Sequence, residues 1–346
     1  MPSSSASAGA GPALPTISVV VPAFNQAAFL TRCLDALAGS SVEHELIVVD
    51  DASSETAAIS VMQRAGSGYL RLEKNSGPAA ARNAGARKAR GALVVFIDSD
   101  VVVRRDTLEK LARVFADERA VDACFGSYDE APDATSVVST YRNLLHHYVH
   151  QTGPRNATTF WAGCGAIRRE AFLDIGGYDQ RFARPSIEDI ELGMRLRAAG
   201  HVIRLAPEIQ VKHLKRWRLA EMVRVDVVCR AIPWTHLLCE RPGTGADLNL
   251  ARAQKLCVAL VFLALASLPL AIGAGALGRG WWWLLAPLGL LLPVIWINRG
   301  FYALLARLRG ASFLLAGMAL HLLYYLYAGL AFLWARATHE KGRDVG

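Results

Sequence analysis

The 346-residue chain has no G-x-G-x-x-G fingerprint after its first apolar run and no G-x-x-x-x-G-K-[ST] anywhere. These absences argue against a dinucleotide-dependent dehydrogenase and against a P-loop nucleotidase. Its six cysteines, at 33, 124, 164, 229, 239 and 257, include no C-x-x-C pair. They read as reduced, buried thiols rather than a disulfide framework or zinc site. Residues 1–15 carry no basic start and no apolar stretch, so they read as a loose tail rather than a signal peptide. There is no zinc finger, RNA-recognition signature or basic-aromatic array, so the net charge of +8 does not point to nucleic acid. Finally, no Asp or Glu occurs between Leu256 and Ala335. That absence is incompatible with a wholly water-soluble chain.

What stands there instead is hydrocarbon. Mean hydropathy is +0.25, and Arg279, Arg299, Arg307 and Arg309 divide the region into uncharged runs 256–278, 280–298 and 310–335. A bilayer core needs about 20 apolar residues per helix, so three spans are expected, near 256–278, 281–298 and 311–335. Trp281, Trp282 and Trp283, with Trp296 and Trp334, suit the lipid–water interface, and His321 suits a helix–helix contact. Arg216, Arg218, Arg224 and Arg230, with Lys215 and Lys255, precede the first run, and a loop at 298–310 carries three arginines. The positive-inside rule places both on the cytoplasmic side, as for a bacterial inner-membrane protein. This orientation leaves the basic C-terminal tail outside, so a two-span or re-entrant arrangement stays open. Residues 215–240 mix Trp, Leu and Val with Arg and Lys and read either as an interfacial amphipathic segment or as a packed surface helix. RPGTG (241–245) reads as a linker.

The first half alternates. ISVVV (17–21), ELIVV (45–49) and LVVFI (93–97) are short continuous apolar runs of the kind buried on both faces of a sheet. Between them, 27–38 places apolar residues at helical spacing and ends at Gly39, 79–90 is an Ala/Arg-rich helix ending at Gly91, and Asp106 can cap a helix to about 116. The alternation predicts an α/β domain with an open, mostly parallel sheet flanked by helices. Such sheets bind ligands beyond the C-terminal ends of their strands. The polar residues there are the candidates for chemistry.

Strand 45–49 runs into Asp50 and Asp51, and strand 93–97 into Asp98, Ser99 and Asp100. In extended chain, residues two apart share a face, so Asp98 and Asp100 can converge on one hard cation; turn residues after a strand are the plainer alternative. Asn75–Gly85 opens a helix whose free N–H groups, with Arg82, suit a phosphate. Ser186-Ile187-Glu188-Asp189 can serve as a helix capping box or present a carboxylate base. Glu191 reads as a solvated helix residue. His213 is either a metal ligand or a packed histidine.

In order and spacing, VVPAFN (20–25), VVDDAS (48–53), NSGPAAARNAG (75–85), FIDSD (96–100), GGYD (176–179) and IEDIELGMRL (187–196) resemble glycosyltransferase family 2, inverting sugar-nucleotide transferases of GT-A fold. The resemblance covers 16–214. It implies a nucleotide-sugar pocket at Pro22, Phe24, Asn25, Asp51, Arg82, Asp98 and Ser99. It further implies a divalent metal, Mg or Mn, held by Asp100 with Asp98 and His213, and Asp189 as general base beside Glu188. Trp161, Gly163 and Gly165 stand where an acceptor-side loop is expected, although a turn around a core Trp explains them as well. The His213-x-x-Arg216-Trp217 pattern departs from the Q-x-x-R-W of processive polysaccharide synthases, while leaving Arg216 and Trp217 open to an acceptor role. The expected protein is therefore a membrane-anchored glycosyltransferase with 16–214 catalytic, 215–250 interfacial, 251–336 transmembrane and 337–346 a tail. It would use a nucleotide-diphosphate sugar, UDP-linked by preference, and a lipid-linked or membrane-associated saccharide acceptor. A processive synthase and an inactive membrane scaffold are the alternatives.

Overall fold

The computed structural model describes residues 13–240 and 252–343. Most of the N-terminal tail, the linker 241–245 and the last three residues lie outside the described residues. Among the described residues nine strands are present: β1 (Ile17–Ala23), β2 (Glu45–Asp50), β3 (Tyr69–Arg71), β4 (Leu93–Ile97), β5 (Val101–Val102), β6 (Val121–Tyr128), β7 (Asn156–Ala157), β8 (Cys164–Arg168) and β9 (Val202–His213). They form one sheet in the order β3-β2-β1-β4-β8-β6-β9-β5, with β7 paired to β9. β1 is parallel to β2 and β4, and β6 to β9. β8 runs antiparallel to both of its neighbours. One reversed strand restores the direction of the next, so β1, β2, β4, β6 and β9 all end at the same edge.

Helices α1 (Ala27–Ala38), α2 (Thr56–Gln63), α3 (Gly77–Lys88), α4 (Thr107–Asp117), α5 (Val137–Thr152), α6 (Arg169–Asp174) and α7 (Glu188–Ala198) complete this unit. The central strands β1 and β4 are buried along their whole length and nearly continuously apolar because both faces are covered. Val19 and Val21 pack with Leu30, Cys33, Leu37, Leu108 and Leu111 on one side. Val20, Ile47, Val49 and Phe96 pack with Ala79, Ala81, Phe172, Leu192 and Leu196 on the other. The α1, α3 and α4 positions follow the sequence expectation within two residues. Asp106 stands at the N-cap position of α4 without bonding its backbone, and its carboxylate pairs with Lys110 instead.

The chain continues through α8 (Leu219–Arg224), one stretch of π-helix (Val225–Ala231), α9 (Ile232–Glu240), α10 (Arg252–Ala276), α11 (Leu285–Ile297) and α12 (Arg299–Arg343). Among the described residues two helices, α10 and the stretch Arg299–Thr338 of α12, are long and apolar enough to cross a membrane. The expected middle span is shorter than foreseen: Trp281–Ile297 is helical over 17 residues, which at 1.5 Å per residue falls short of a hydrocarbon core of about 30 Å. The arginine-bearing loop expected at 298–310 is instead helix. It ends at Gly310, whose φ of 81° and ψ of 178° break α12. The two arms fold back on each other, since Phe301 meets His321 at 5.3 Å between ring centroids and Leu305 lies against Gly317. Phe301, Tyr302 and Leu305 then pack on Tyr141 and Leu144 of α5 and on Trp217. This cluster fastens the sheet unit to the apolar helices. Leu265, Leu268, Leu270 and Leu277 of the α10 region remain exposed, as does the Trp281–Trp283 group.

Gly193 brings α7 against the segment before β8: a Cβ there would fall inside the backbone of Thr159 and Phe160. Gly193→Ala must push α7 outward, at a cost of about 1–3 kcal/mol. A lowered thermal midpoint of the full chain in detergent is expected, with Gly289→Ala, where a Cβ meets nothing within 4 Å, as the unaffected control.

Candidate active site

The site forms at the shared edge. The turn after β1 and the turn after β2 are clamped together: Asn25 Oδ1 accepts from the backbone N–H groups of Ser54 and Glu55 at 3.0 and 2.9 Å, and Asn25 N–H donates to Ser53 Oγ at 2.8 Å. Asn25, Gln26 and Ala52 all hold positive φ, the strain such a clamp stores. Pro22 is buried and Phe24 projects into solvent. Asp50 is wholly buried, accepts from Ser53 N–H and Tyr69 Oη, and pairs with Arg71. Asp51 accepts from Ser76 N–H at 2.7 Å and Gly77 N–H at 2.8 Å, so it caps the N-terminus of α3 from across the cleft. Of the residues expected at the donor pocket, Pro22, Phe24, Asn25 and Asp51 belong to these two strand ends and turns, with Asp51 engaged by backbone, whereas Arg82, Asp98 and Ser99 lie elsewhere.

Arg82 is the centre of the opposite wall. From α3 its Nη2 reaches Asp98 Oδ1 at 2.6 Å and its Nη1 reaches Glu188 Oε1 at 3.0 Å, while its guanidinium lies 5.5 Å from the Tyr178 ring. Arg82 and Glu188 are each only 5% exposed. Their opposite charges are therefore paired in low dielectric, and Asp98 and Glu188 hold the Arg82 proton more firmly than usual although burial opposes it. Arg82 was expected beside the phosphate; here both ends of its fork are taken by carboxylates.

Asp98, Ser99 and Asp100 occupy the turn between β4 and β5, all partly exposed. Pairing of β5 with β9 sets Val101 opposite His213 and brings His213 Nε2 within 3.5 Å of Asp100 Oδ2. His213 also stacks on Tyr128 at 4.3 Å. Burial tends to raise the Asp100 carboxyl, but the hydrogen bond and charge of His213 outweigh it and hold it below its usual value. Asp98 is raised by burial, with Arg82 opposing and Asp100 reinforcing the shift. Among the described residues no group of three His, Cys, Asp or Glu side chains is gathered as a complete metal shell. Asp100 and His213 nevertheless supply a carboxylate and an imidazole that face each other, a donor pair that fits a divalent ion completed by phosphate oxygens.

Asp189 sits in the first turn of α7, accepting from Ala162 N–H at 3.4 Å. Burial and the adjacent Glu188 charge push its carboxyl from 3.8 to about 7, with Arg82 and the Ala162 N–H opposing. A general base works best with a pKa near the working pH. Ser186 does not cap α7: its N–H donates to Glu188 Oε2 and its hydroxyl to the Cys229 carbonyl. Glu191 is not solvated either. It is 1% exposed and binds Arg195, which also donates to the carbonyls of Ile175 and Gly177. Asn83 reads the same turn from α3 through both Tyr178 N–H and C=O. The GGYD segment is therefore a brace, a role that its polar spacing gave no means to infer.

Trp161 and Gly163 flank Ala162, and the Gly163 carbonyl accepts from Asp98 N–H, so this segment runs between Asp189 and the acidic turn. The Trp161 ring packs with Tyr128, His146 and His150. Gly163 and Gly165 leave room for the Trp161 and Phe160 rings. Trp217 is 7% exposed and belongs to the cluster with Tyr141 and Phe301, and Arg216 is on the surface. Neither is gathered with the carboxylates.

Comparison with known proteins identifies this arrangement. The model of glycosyl transferase family 2 matches residues 18–176, and an uncharacterized protein of Mycobacterium tuberculosis is 30% identical over 218 residues, 58% of this chain and 68% of that protein. The chain belongs to glycosyltransferase family 2. A pre-mycofactocin glycosyltransferase of Mycobacterium tuberculosis is 32% identical over 223 residues, 62% of this chain. This chain spans about half that relative's length, 46%. Among solved structures, a mannosyltransferase from Pyrobaculum calidifontis in complex with GDP-Man and Mn2+ superposes with a TM-score of 0.54 at 19% identity, over 94% of this chain and 89% of that one. That likeness is one of fold, and it is the GT-A sheet of the family.

Two outcomes follow from the site. Arg82→Leu strands Asp98 and Glu188 without a counter-charge, which should destabilise the protein by about 3–5 kcal/mol in chemical denaturation of the full chain. If Asp189 acts as a base it must be ionised, so turnover should climb as pH rises through about 7, and a pH–rate profile measures that midpoint.

Proposed function

We propose that the protein transfers a sugar, with inversion, from a nucleotide-diphosphate donor to an acceptor hydroxyl held at Asp189. The observation that carries this reading is the Asp189 carboxyl, poised near neutrality in the first turn of α7 and joined to the acidic turn through Ala162, Gly163 and Arg82. Asp189 removes the acceptor proton as the hydroxyl attacks the anomeric carbon, and the nucleoside diphosphate leaves from the opposite face. Glu188 fixes Arg82 and keeps the Asp189 proton affinity high. The clamped turns after β1 and β2, with Pro22, Phe24, Asn25 and Asp51, form the donor wall. Asp100 and His213, with Asp98, would hold Mg or Mn, whose charge would neutralise the departing diphosphate. A UDP-sugar is the preferred donor; the GDP-Man held by the mannosyltransferase of shared fold keeps a guanosine donor in view.

The acceptor in this proposal is lipid-linked or a membrane-associated saccharide. Support comes from α10 and the Arg299–Thr338 stretch, both apolar over a span's length, and from the cluster that binds them to α5. Basic residues around 215–255 would keep the catalytic unit on the cytoplasmic face of a bacterial inner membrane. The scaffold alternative leaves the ionisable Asp189 and the Asp100–His213 pair without a purpose.

The test uses the 346-residue chain in detergent with UDP and GDP, titrated calorimetrically with and without Mn. Asp189→Asn should abolish transfer with donor affinity retained, whereas Asp100→Ala should remove the metal-dependent part of that affinity. Loss of donor binding in Asp189→Asn would overturn its role as base, and unchanged metal-dependent binding in Asp100→Ala would overturn the metal assignment.

A further inference from the structure

Pairing of β5 with β9 fixes the backbone of His213 beside Asp100, and Leu214 N–H closes the same corner on the Asp100 carbonyl at 2.9 Å. Neither contact sets the plane of the imidazole. Rotation about its Cβ–Cγ bond is a broad, roughly two-fold torsion, so the direction of Nε2 is decided by what the ring touches. A ligating histidine is ordinarily oriented by a hydrogen bond from its second nitrogen. Here Nε2 is the nitrogen that faces Asp100 Oδ2, at 3.5 Å, and among the described residues no hydrogen bond reaches Nδ1 of His213.

What the ring touches is Tyr128. The two centroids lie 4.3 Å apart and the planes are 15° from parallel. β6 sets Tyr128 opposite Val211, which shares a face of β9 with His213. Tyr128 is in turn held from several sides. Its carbonyl accepts from His147 Nδ1 at 2.7 Å and from Ser127 Oγ at 2.9 Å. Its ring meets Trp161 edge-on at 4.8 Å and His146 at 4.5 Å, and only 9% of the residue is exposed. His146 and His147 are neighbours on α5, so one helix secures both the backbone and the ring of Tyr128.

We infer that Tyr128 is a positioning residue for the divalent ion: its ring face holds the His213 imidazole in the plane that keeps Nε2 directed at Asp100. This rests on the reading of Asp100 and His213 as metal ligands. Tyr128 acts through the imidazole and supplies no ligand of its own. A free imidazole would lose its rotation on taking up an ion, whereas a stacked one has lost it beforehand, and preorganisation of that kind raises affinity. The stack uses the aromatic face and not the hydroxyl. Through it α5, which carries no ligand either, becomes part of the metal centre.

Calorimetric titration of UDP and GDP into the 346-residue chain in detergent, at a series of Mn concentrations, gives the apparent Mn affinity that tests this. Tyr128→Leu should weaken it at least about tenfold, while Tyr128→Phe, which keeps the face, should stay within about twofold of wild type. Tyr128→Met, which fills similar space without a flat face, replaces the Leu variant if that one fails to fold. Tyr141→Leu, which removes a buried ring from the cluster with Phe301 and Trp217, should leave Mn affinity unchanged. In a His213→Ala background, Tyr128→Leu should have no further effect, because no imidazole is left to hold. The inference is overturned if the Leu or Met variant takes up Mn as wild type does, if Tyr128→Phe or Tyr141→Leu loses as much, or if the loss persists in full in the His213→Ala background. Wild type without Mn-dependent nucleotide binding, or His213→Ala with that binding intact, would instead defeat the metal reading itself.

Discussion

Arg82 reaches Asp98 at the end of a central strand with one nitrogen and Glu188 at the start of α7 with the other, and the geometry of the cleft depends on that double bond. Without it, two acidic elements would face each other across a poorly solvated gap. With it, the first turn of α7 is tied to the end of β4. The same arginine opposes the rise at Asp189, but burial and the adjacent Glu188 charge outweigh it and carry that carboxyl to about 7. Buried ion pairs add little net stability against an apolar equivalent. What this one supplies is position.

The reversed strand β8 is the second constraint. In a wholly parallel sheet each strand contributes its C-terminal end to the ligand edge. Because β8 runs the other way, it contributes the residues that precede it, and so Trp161, Ala162 and Gly163 enter the cleft between Asp98 and Asp189. Close packing makes this possible: Gly193 lets α7 approach the chain at 159–160, and Gly163 gives the Trp161 ring its place. The aromatic cluster of Trp161, Tyr128, His146 and His213 then ties the segment before β8 to the carboxylate–imidazole pair.

The catalytic unit and the apolar helices are joined by an interface of their own. Trp217, offered by the sequence as a sugar-binding aromatic, is spent on this contact with Tyr141 and Phe301. Arg142, Asp226 and Tyr327 form a buried polar link beside it. The break at Gly310 allows α12 to supply both a short arm that docks on α5 and a long apolar arm. The π-helical stretch thus contacts the apolar helices through Asp226 and Tyr327 and the segment before α7 through Cys229 and Ser186.

Local physics alone determined much of this. Apolar runs flanked by aspartates, helical spacing in 27–38 and 79–90, and the absence of acid across 256–335 marked the sheet, two of its helices and the apolar region, because each depends on burial of neighbouring residues in the chain. The acidic turn and the dyad were legible for the same reason, their chemistry being carried in short motifs. What only the tertiary structure decided are relations between distant residues. Glu191 looked solvated on its own helix and is buried because Arg195 and the 175–177 turn close over it. Ser186 looked like a cap and serves Cys229 instead. The arginines of 299–309 looked like a loop, but the opposite face of that stretch is the docking surface for α5. A side chain's partner from 40 or 100 residues away leaves no trace in local spacing, and here those partners decide which acid is raised toward neutrality and which is a brace.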